Sequence, residues 1–230
     1  MNSSSNPIFV ALDVPGKASA LALVEPLSPH VGGFKIGLEL FLSQGHEIVE
    51  EIGAPNVFLD LKLHDIPNTV AGALRVVGKL GVQITNVHCL GGLEMMRAAN
   101  DAVKSAHSST RLIGVTVLTS HDRNSLARLG FDEEPQTVVR RLARLAQEAG
   151  LDGVVCSARE ISAVRQECGA DFLLVTPGIR PESSALGDQK RVMTPREAVE
   201  LGANYLVIGR PITSAENPAE AARAIVASLR

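Results

Sequence analysis

Short apolar or β-branched runs recur along this chain, separated by longer stretches in which apolar residues return every three or four positions. The runs are Ile8 to Val14, Gly32 to Gly37, Asn56 to Lys62, Gln83 to His88, Arg111 to Leu118, Gly153 to Ser157, Phe172 to Thr176 and Tyr205 to Gly209. Their length and bounding residues predict eight β-strands. The spacing between them, as in Val138, Leu142, Leu145 and Ala149, or Ala219, Ala222, Ile225, Val226 and Leu229, predicts helices with one buried stripe. Strand and helix alternate throughout, and 230 residues shared among eight repeats give about 29 each, the size of a βα unit. The expected fold is α/β, a single closed (β/α)8 TIM barrel forming one domain over residues 1–230. An open doubly wound sheet is the alternative, but it calls for a Gly-rich dinucleotide turn after the first strand, and Val14-Pro15-Gly16-Lys17 is not one.

Composition narrows the function classes. The chain is 45% apolar, 20% charged and 3% aromatic, with a formal net charge of −3. No basic field exists to attract nucleic acid or an anionic membrane surface, and every apolar run is too short to span a bilayer. Met1 to Asn6 is polar without a basic start, and Asp13 interrupts the apolar stretch that follows, so no secretory signal is read and a cytoplasmic address is expected. Cys89, Cys156 and Cys168 are odd in number and scattered, which fits reduced core thiols rather than a disulfide framework or a zinc cluster. Two connections exceed what a barrel requires, Ser120 to Gln136 and Gly178 to Arg191. The second, with Ser183, Ser184 and Gly187, is a candidate lid.

In a parallel barrel the reactive face lies at the carboxyl ends of the strands. Polar residues collect there: Asp13 ends the first run, Lys35 lies in the second, Asp60 and Lys62 in the third, His88 ends the fourth, and the eighth runs into Gly209-Arg210. Alternation along the third run places Val57, Leu59 and Leu61 on one face and Phe58, Asp60 and Lys62 on the other. The aliphatic face belongs against the helices, so Asp60 and Lys62 should project into the barrel mouth, where a buried charge needs a partner. A structural ion pair would satisfy that need alone. Asp65 adds a second carboxylate just before Pro67 starts a helix, and Lys35 makes the array alternate in sign, which exceeds what one stabilising pair requires. After the eighth run, Gly209-Arg210-Pro211 offers close backbone approach, a planar guanidinium and a helix start, the elements of a phosphate site; Gln189 or Arg180 could complete it. His88 lacks a companion at ligand spacing and reads as a hydrogen-bonded barrel histidine; His64 reads as structural.

Five segments together resemble the bacterial orotidine 5′-monophosphate decarboxylase family. They are Phe9-Val10-Ala11-Leu12-Asp13, Phe34-Lys35-Ile36-Gly37, the D-x-K-x-x-D-I-P-x-T run Asp60 to Thr69, Val175-Thr176-Pro177-Gly178-Ile179-Arg180, and Val207-Ile208-Gly209-Arg210-Pro211-Ile212-Thr213. The resemblance implies a homodimer of barrels that works without metal or organic cofactor on a small nucleotide substrate. By motif it makes Lys62 the catalytic lysine, sets Asp60 beside the substrate carboxylate and puts Lys35 in the same charged array. It sends Asp65 and Thr69 across the dimer into the partner's site. Asp13 matches a ribose-binding position, Thr119 a base-contacting one, and Arg180, Gln189, Gly209 and Arg210 the phosphate end.

The residues also admit other readings. A Mg2+-dependent sugar-phosphate lyase of the 3-keto-gulonate-phosphate decarboxylase kind resembles the chain in its D-x-K-x-x-D run, but places an acidic metal ligand where Lys35 stands, and a cation there repels the ion. A Schiff-base aldolase would use Lys62, yet an ammonium flanked by acids is a poor nucleophile. A non-catalytic nucleotide-binding barrel would need Gly209-Arg210 and leaves the acid–lysine array without a purpose.

Overall fold

The computed structural model describes residues 6–181 and 193–229. All eight predicted strands are present, as β1 (Ile8–Ala11), β2 (Gly33–Ile36), β3 (Val57–Leu63), β4 (Ile84–His88), β5 (Arg111–Val115), β6 (Gly153–Val155), β7 (Leu173–Pro177) and β8 (Tyr205–Ile208). They pair in parallel and in chain order, and β1 closes onto β8 through Ile8↔Leu206, Phe9↔Val207 and Val10↔Ile208. The fold is therefore a closed (β/α)8 barrel. No described helix is long and apolar enough to cross a membrane.

The helices are α1 (Lys17–Leu27), α2 (Leu38–Gln44), α3 (Glu47–Ile52), α4 (Pro67–Leu80), α5 (Gly92–Ser105), α6 (Arg123–Arg128), α7 (Pro135–Glu148), α8 (Ile161–Cys168), α9 (Pro195–Glu200), α10 (Arg210–Thr213) and α11 (Pro218–Ala227). Helix α7 shows why they form where they do. Pro135 occupies its first turn, where no N–H is required; Val138, Leu142 and Ala146 are buried against the barrel, and Arg140 and Arg141 on the outer face pair with Glu167 and Glu133. Helix α6 lies inside the connection that the sequence pattern reads as a loop. Its signal is local: Asp122 Oδ1 accepts from the Ser125 N–H while Ser125 Oγ accepts from the Asp122 N–H, a reciprocal cap on a helix of six residues.

Two cores result from strand alternation. Outward residues such as Val10, Leu59 and Leu206 pack under the helices, while Phe9, Phe58, Ile84, Ile113, Val175 and Val207 fill the barrel. Phe9 meets Phe58 and Tyr205 edge to face at ring separations of 6.2 and 5.3 Å. Phe9 and Phe58, both buried, each contribute about 2–3 kcal/mol by leaving water. Gly33 makes room for them, because a Cβ there would lie 2.7 Å from the Phe9 ring and 2.4 Å from the Asn56 carbonyl oxygen. On the amino-terminal face Arg165 donates to the carbonyls of Gly169, Ala170, Phe172 and Gly202, tying together the turns that precede β7 and β8. Aromatic filling low in the barrel and a stitched lower face leave the upper mouth free for polar groups.

Candidate active site

The inward side chains at the carboxyl ends of β1, β2 and β3 form one chain of alternating charge. Lys35 Nζ lies 2.9 Å from Asp13 Oδ1 and 3.6 Å from Asp60 Oδ2, and Lys62 Nζ lies 2.7 Å from Asp60 Oδ1. Lys35 and Asp60 are each only 8% exposed. Two lysines share the buried Asp60 carboxylate and two carboxylates flank Lys35, so the two most buried charges are each compensated on both sides. Gly37 continues the inward row of β2; a Cβ there would stand 3.0 Å from Lys35 Nζ and crowd the array.

Lys62 has a second peculiarity. Its φ is +50°, in the left-handed region that a lysine enters at a cost of about 1–2 kcal/mol. The β3–β4 ladder shifts register between Leu59 and Leu63, and the Lys62 N–H donates instead to the side chain of Asn86, at 2.7 Å. The other end of that amide donates to Asp60 Oδ1 at 2.6 Å. Asn86 is fully buried, and the polar residue at the strand end, His88, masks it in the sequence. The signal was the inward alternation Ile84, Asn86, His88, in which a polar amide occupies a core position.

These residues line a cavity of about 340 Å³ at the barrel mouth. Thr119 beyond β5, Arg180 beyond β7, and Gly209 and Arg210 beyond β8 line it too, so the structure brings together Asp13, Lys35, Asp60, Lys62, Thr119, Arg180, Gly209 and Arg210. Arg180 and Arg210 form no ion pair with a described residue and face the cavity as free cations among the described groups. The helix opened by Arg210 is a single turn of four residues, with Pro211 in its second position. Gln189 and most of the candidate lid, residues 182–192, lie outside the described residues.

Asp65 and Thr69 do not join the array within one chain. Both are exposed and neither lines the cavity. The strand ends at Leu63, and the Asp65 carboxylate is engaged by the Ile66 N–H at 2.6 Å, just before α4 begins. His88 also departs from expectation: its Nδ1 is buried without a hydrogen-bond partner among the described residues, and its ring stacks on His64 at 5.5 Å. Burial, reinforced by the nearby charges of His64, Lys62 and His121, lowers its pKa and favours the neutral imidazole. Cys156 lines the cavity, but burial pushes its thiol up to about 12, which keeps it from acting as a nucleophile near neutral pH. All three cysteines are free and buried. Among the described residues no cluster of three or more His, Cys, Asp or Glu is placed to hold a metal ion.

Fold and mouth together define an enzyme of the (β/α)8-barrel class, with opposed charges gathered where the strands end. Comparison with known proteins supplies the family. The model of the orotidine 5′-phosphate decarboxylase / HUMPS family matches residues 6–225. Curated proteins named orotidine 5′-phosphate decarboxylase are similar along the whole chain: that of Dichelobacter nodosus is 53% identical over 232 residues, covering 100% of both chains, and that of Moorella thermoacetica is 52% identical, covering 98% of this chain and 93% of its own. Among solved structures, orotidine 5′-phosphate decarboxylase from Lactobacillus acidophilus superposes with a TM-score of 0.86 at 36% identity, covering 98% of this chain and 99% of that one. An uncharacterized conserved protein from Geobacillus kaustophilus gives 0.84 at 38% identity, covering 97% and 100%. The chain belongs to the orotidine 5′-phosphate decarboxylase / HUMPS family.

Proposed function

We propose that this chain removes CO2 from orotidine 5′-monophosphate to give uridine 5′-monophosphate in pyrimidine synthesis, acting in the cytoplasm as one catalytic barrel. The observation that carries the proposal is the alternating array Asp13, Lys35, Asp60, Lys62 on the wall of a cavity that Arg180 and Arg210 also line. Decarboxylation at C6 of a pyrimidine leaves an electron pair in the ring plane, where the π system delocalises it poorly. Fixed charge can answer that need. The Lys62 ammonium stabilises the developing carbanion and then delivers its proton to C6, so one group serves as electrostatic stabiliser and general acid. Asp60 stands beside the substrate carboxylate. At ~4 Å two such charges repel by roughly 4 kcal/mol at an effective dielectric of 20, and the repulsion vanishes as neutral CO2 departs. Lys35 belongs to the same charged array, Asp13 meets the ribose, Thr119 the base, and Arg180, Gln189, Gly209 and Arg210 the phosphate.

Loss of the orotidine monophosphate absorbance band on adding the protein tests the reaction, and a chelator present throughout should leave the rate unchanged. Binding without spectral decay would favour a nucleotide-binding barrel, and chelator inhibition a Mg2+-dependent lyase. Arg210→Ala should raise KM about 10- to 100-fold, the effect of losing a charge-assisted bond to phosphate, with a smaller change in kcat. An unchanged KM would remove Arg210 from the phosphate site.

The active form is a homodimer in which Asp65 and Thr69 enter the partner's cavity. Their exposure in the single chain supports this reading, as do the large apolar side chains Ile66 and Leu90, 67% and 43% exposed on the loops after β3 and β4. Equal amounts of Lys62→Ala and Asp65→Ala protein, each nearly inactive alone, should regain about a quarter of wild-type activity once subunits exchange. Half of the dimers are then mixed, and each mixed dimer holds one intact site. Mixtures no more active than their components would place Asp65 in its own chain's site or outside any.

A further inference from the structure

Between Leu59↔Thr85 and Leu63↔Val87, β3 advances four residues while β4 advances two. Asp60, Leu61 and Lys62 therefore leave the regular ladder opposite the single position Asn86, and the Asn86 side chain fills the opening. Its Oδ1 accepts the Lys62 N–H, and its Nδ2 donates to Asp60 Oδ1, the same oxygen that receives Lys62 Nζ. The orientation of the amide is forced: a backbone N–H can only donate, so Oδ1 faces it and the NH2 is left for the carboxylate. Asn86 thus grips both the main chain and the counter-ion of one lysine.

We propose that Asn86 is a positioning residue for the decarboxylation: its amide holds Lys62 in the left-handed turn and Asp60 in one rotamer, so that the ammonium stays aimed at the reacting carbon. The proposal rests on the reaction assigned above. It requires at position 86 a neutral group that accepts on one side and donates on the other. Leucine has the size and neither function, and leaves the Lys62 N–H unsatisfied. Ionised aspartate accepts but cannot donate, and it repels Asp60. Protonated aspartate does both, one oxygen accepting from Lys62 and the hydroxyl donating to Asp60. The charged and titratable groups around this position are Asp60 and Lys62 on β3, Lys35 on β2 reached through Asp60, and His88 two residues along β4; the β5 neighbour, Ile113, carries none.

The test is steady-state decarboxylation by wild type, Asn86→Leu and Asn86→Asp from mildly acidic to mildly alkaline pH, with uridine monophosphate affinity measured alongside. Asn86→Leu should lose about 10²-fold in kcat, the cost of a misaimed reacting group, with KM and uridine monophosphate affinity changed less than about threefold. Its rate relative to wild type should not vary with pH. Asn86→Asp should recover relative to wild type as pH falls and its new carboxyl takes a proton. Wild-type kcat in Asn86→Leu, or a pH-independent loss in Asn86→Asp, overturns the proposal. Should Asn86→Leu fail to fold, the isosteric aspartate variant decides by the same pH trend. Loss of folding or of uridine monophosphate binding in both variants makes Asn86 a general prop of the barrel and equally overturns it. Wild type that leaves orotidine monophosphate unchanged refutes the reaction itself, an outcome visible before either variant is compared.

Discussion

Alanine in place of Lys62 is expected to lower kcat for orotidine monophosphate by about 10⁵-fold, because two contributions vanish together: stabilisation of the carbanion, of order 10²–10³, and proton delivery, of order 10²–10⁴. The protein should still fold. The Lys62 side chain is 34% exposed, and the carboxylate it leaves behind keeps Lys35 at 3.6 Å and the Asn86 amide at 2.6 Å. Purified variant, checked for cooperative unfolding and for retained uridine monophosphate binding, would be assayed for decay of substrate absorbance. A rate within tenfold of wild type would remove Lys62 from the chemistry and leave the array a structural one.

Asp60→Asn should fall by about 10³-fold in kcat while KM for orotidine monophosphate drops. The amide cannot compensate Lys35 and Lys62 together, so Lys62 loses the carboxylate that orients it. Lys35 retains Asp13 at 2.9 Å. At the same time the substrate carboxylate no longer meets a like charge, and the ground-state complex tightens. A fall in both parameters is the signature of relieved repulsion. A raised KM would mean instead that the substrate carboxylate lies elsewhere in the mouth.

The barrel was legible because apolar runs and helical stripes alternate without interruption, and each predicted strand overlaps one that forms. Among the strands, the differences lie at their ends. The fifth apolar run reaches Leu118, but the strand stops at Val115; Val117 and Leu118 line cavities instead of pairing. Asp13 lies past the end of β1, since the ladder finishes at Ala11 and only the Leu12 N–H still reaches the Lys35 carbonyl. Pro177 ends β7, one residue beyond the Thr176 at which the seventh run ends in the sequence pattern. Within the site, inward parity found Asp60 and Lys62, and the same rule applied to β4 finds Asn86. What parity could not give is the register shift beside Lys62, which depends on two strands at once. Nor could it separate Asp65 from Lys62, three residues away in sequence and pointing to different surroundings.

The positive φ of Lys62 bears on how this sequence can drift over evolutionary time. Glycine or asparagine would sit more comfortably in that backbone, so mutation favouring robustness alone pushes the position away from lysine. Only selection for turnover holds it there. A copy of the gene released from that selection should drift at position 62 early, with its barrel intact and its chemistry gone.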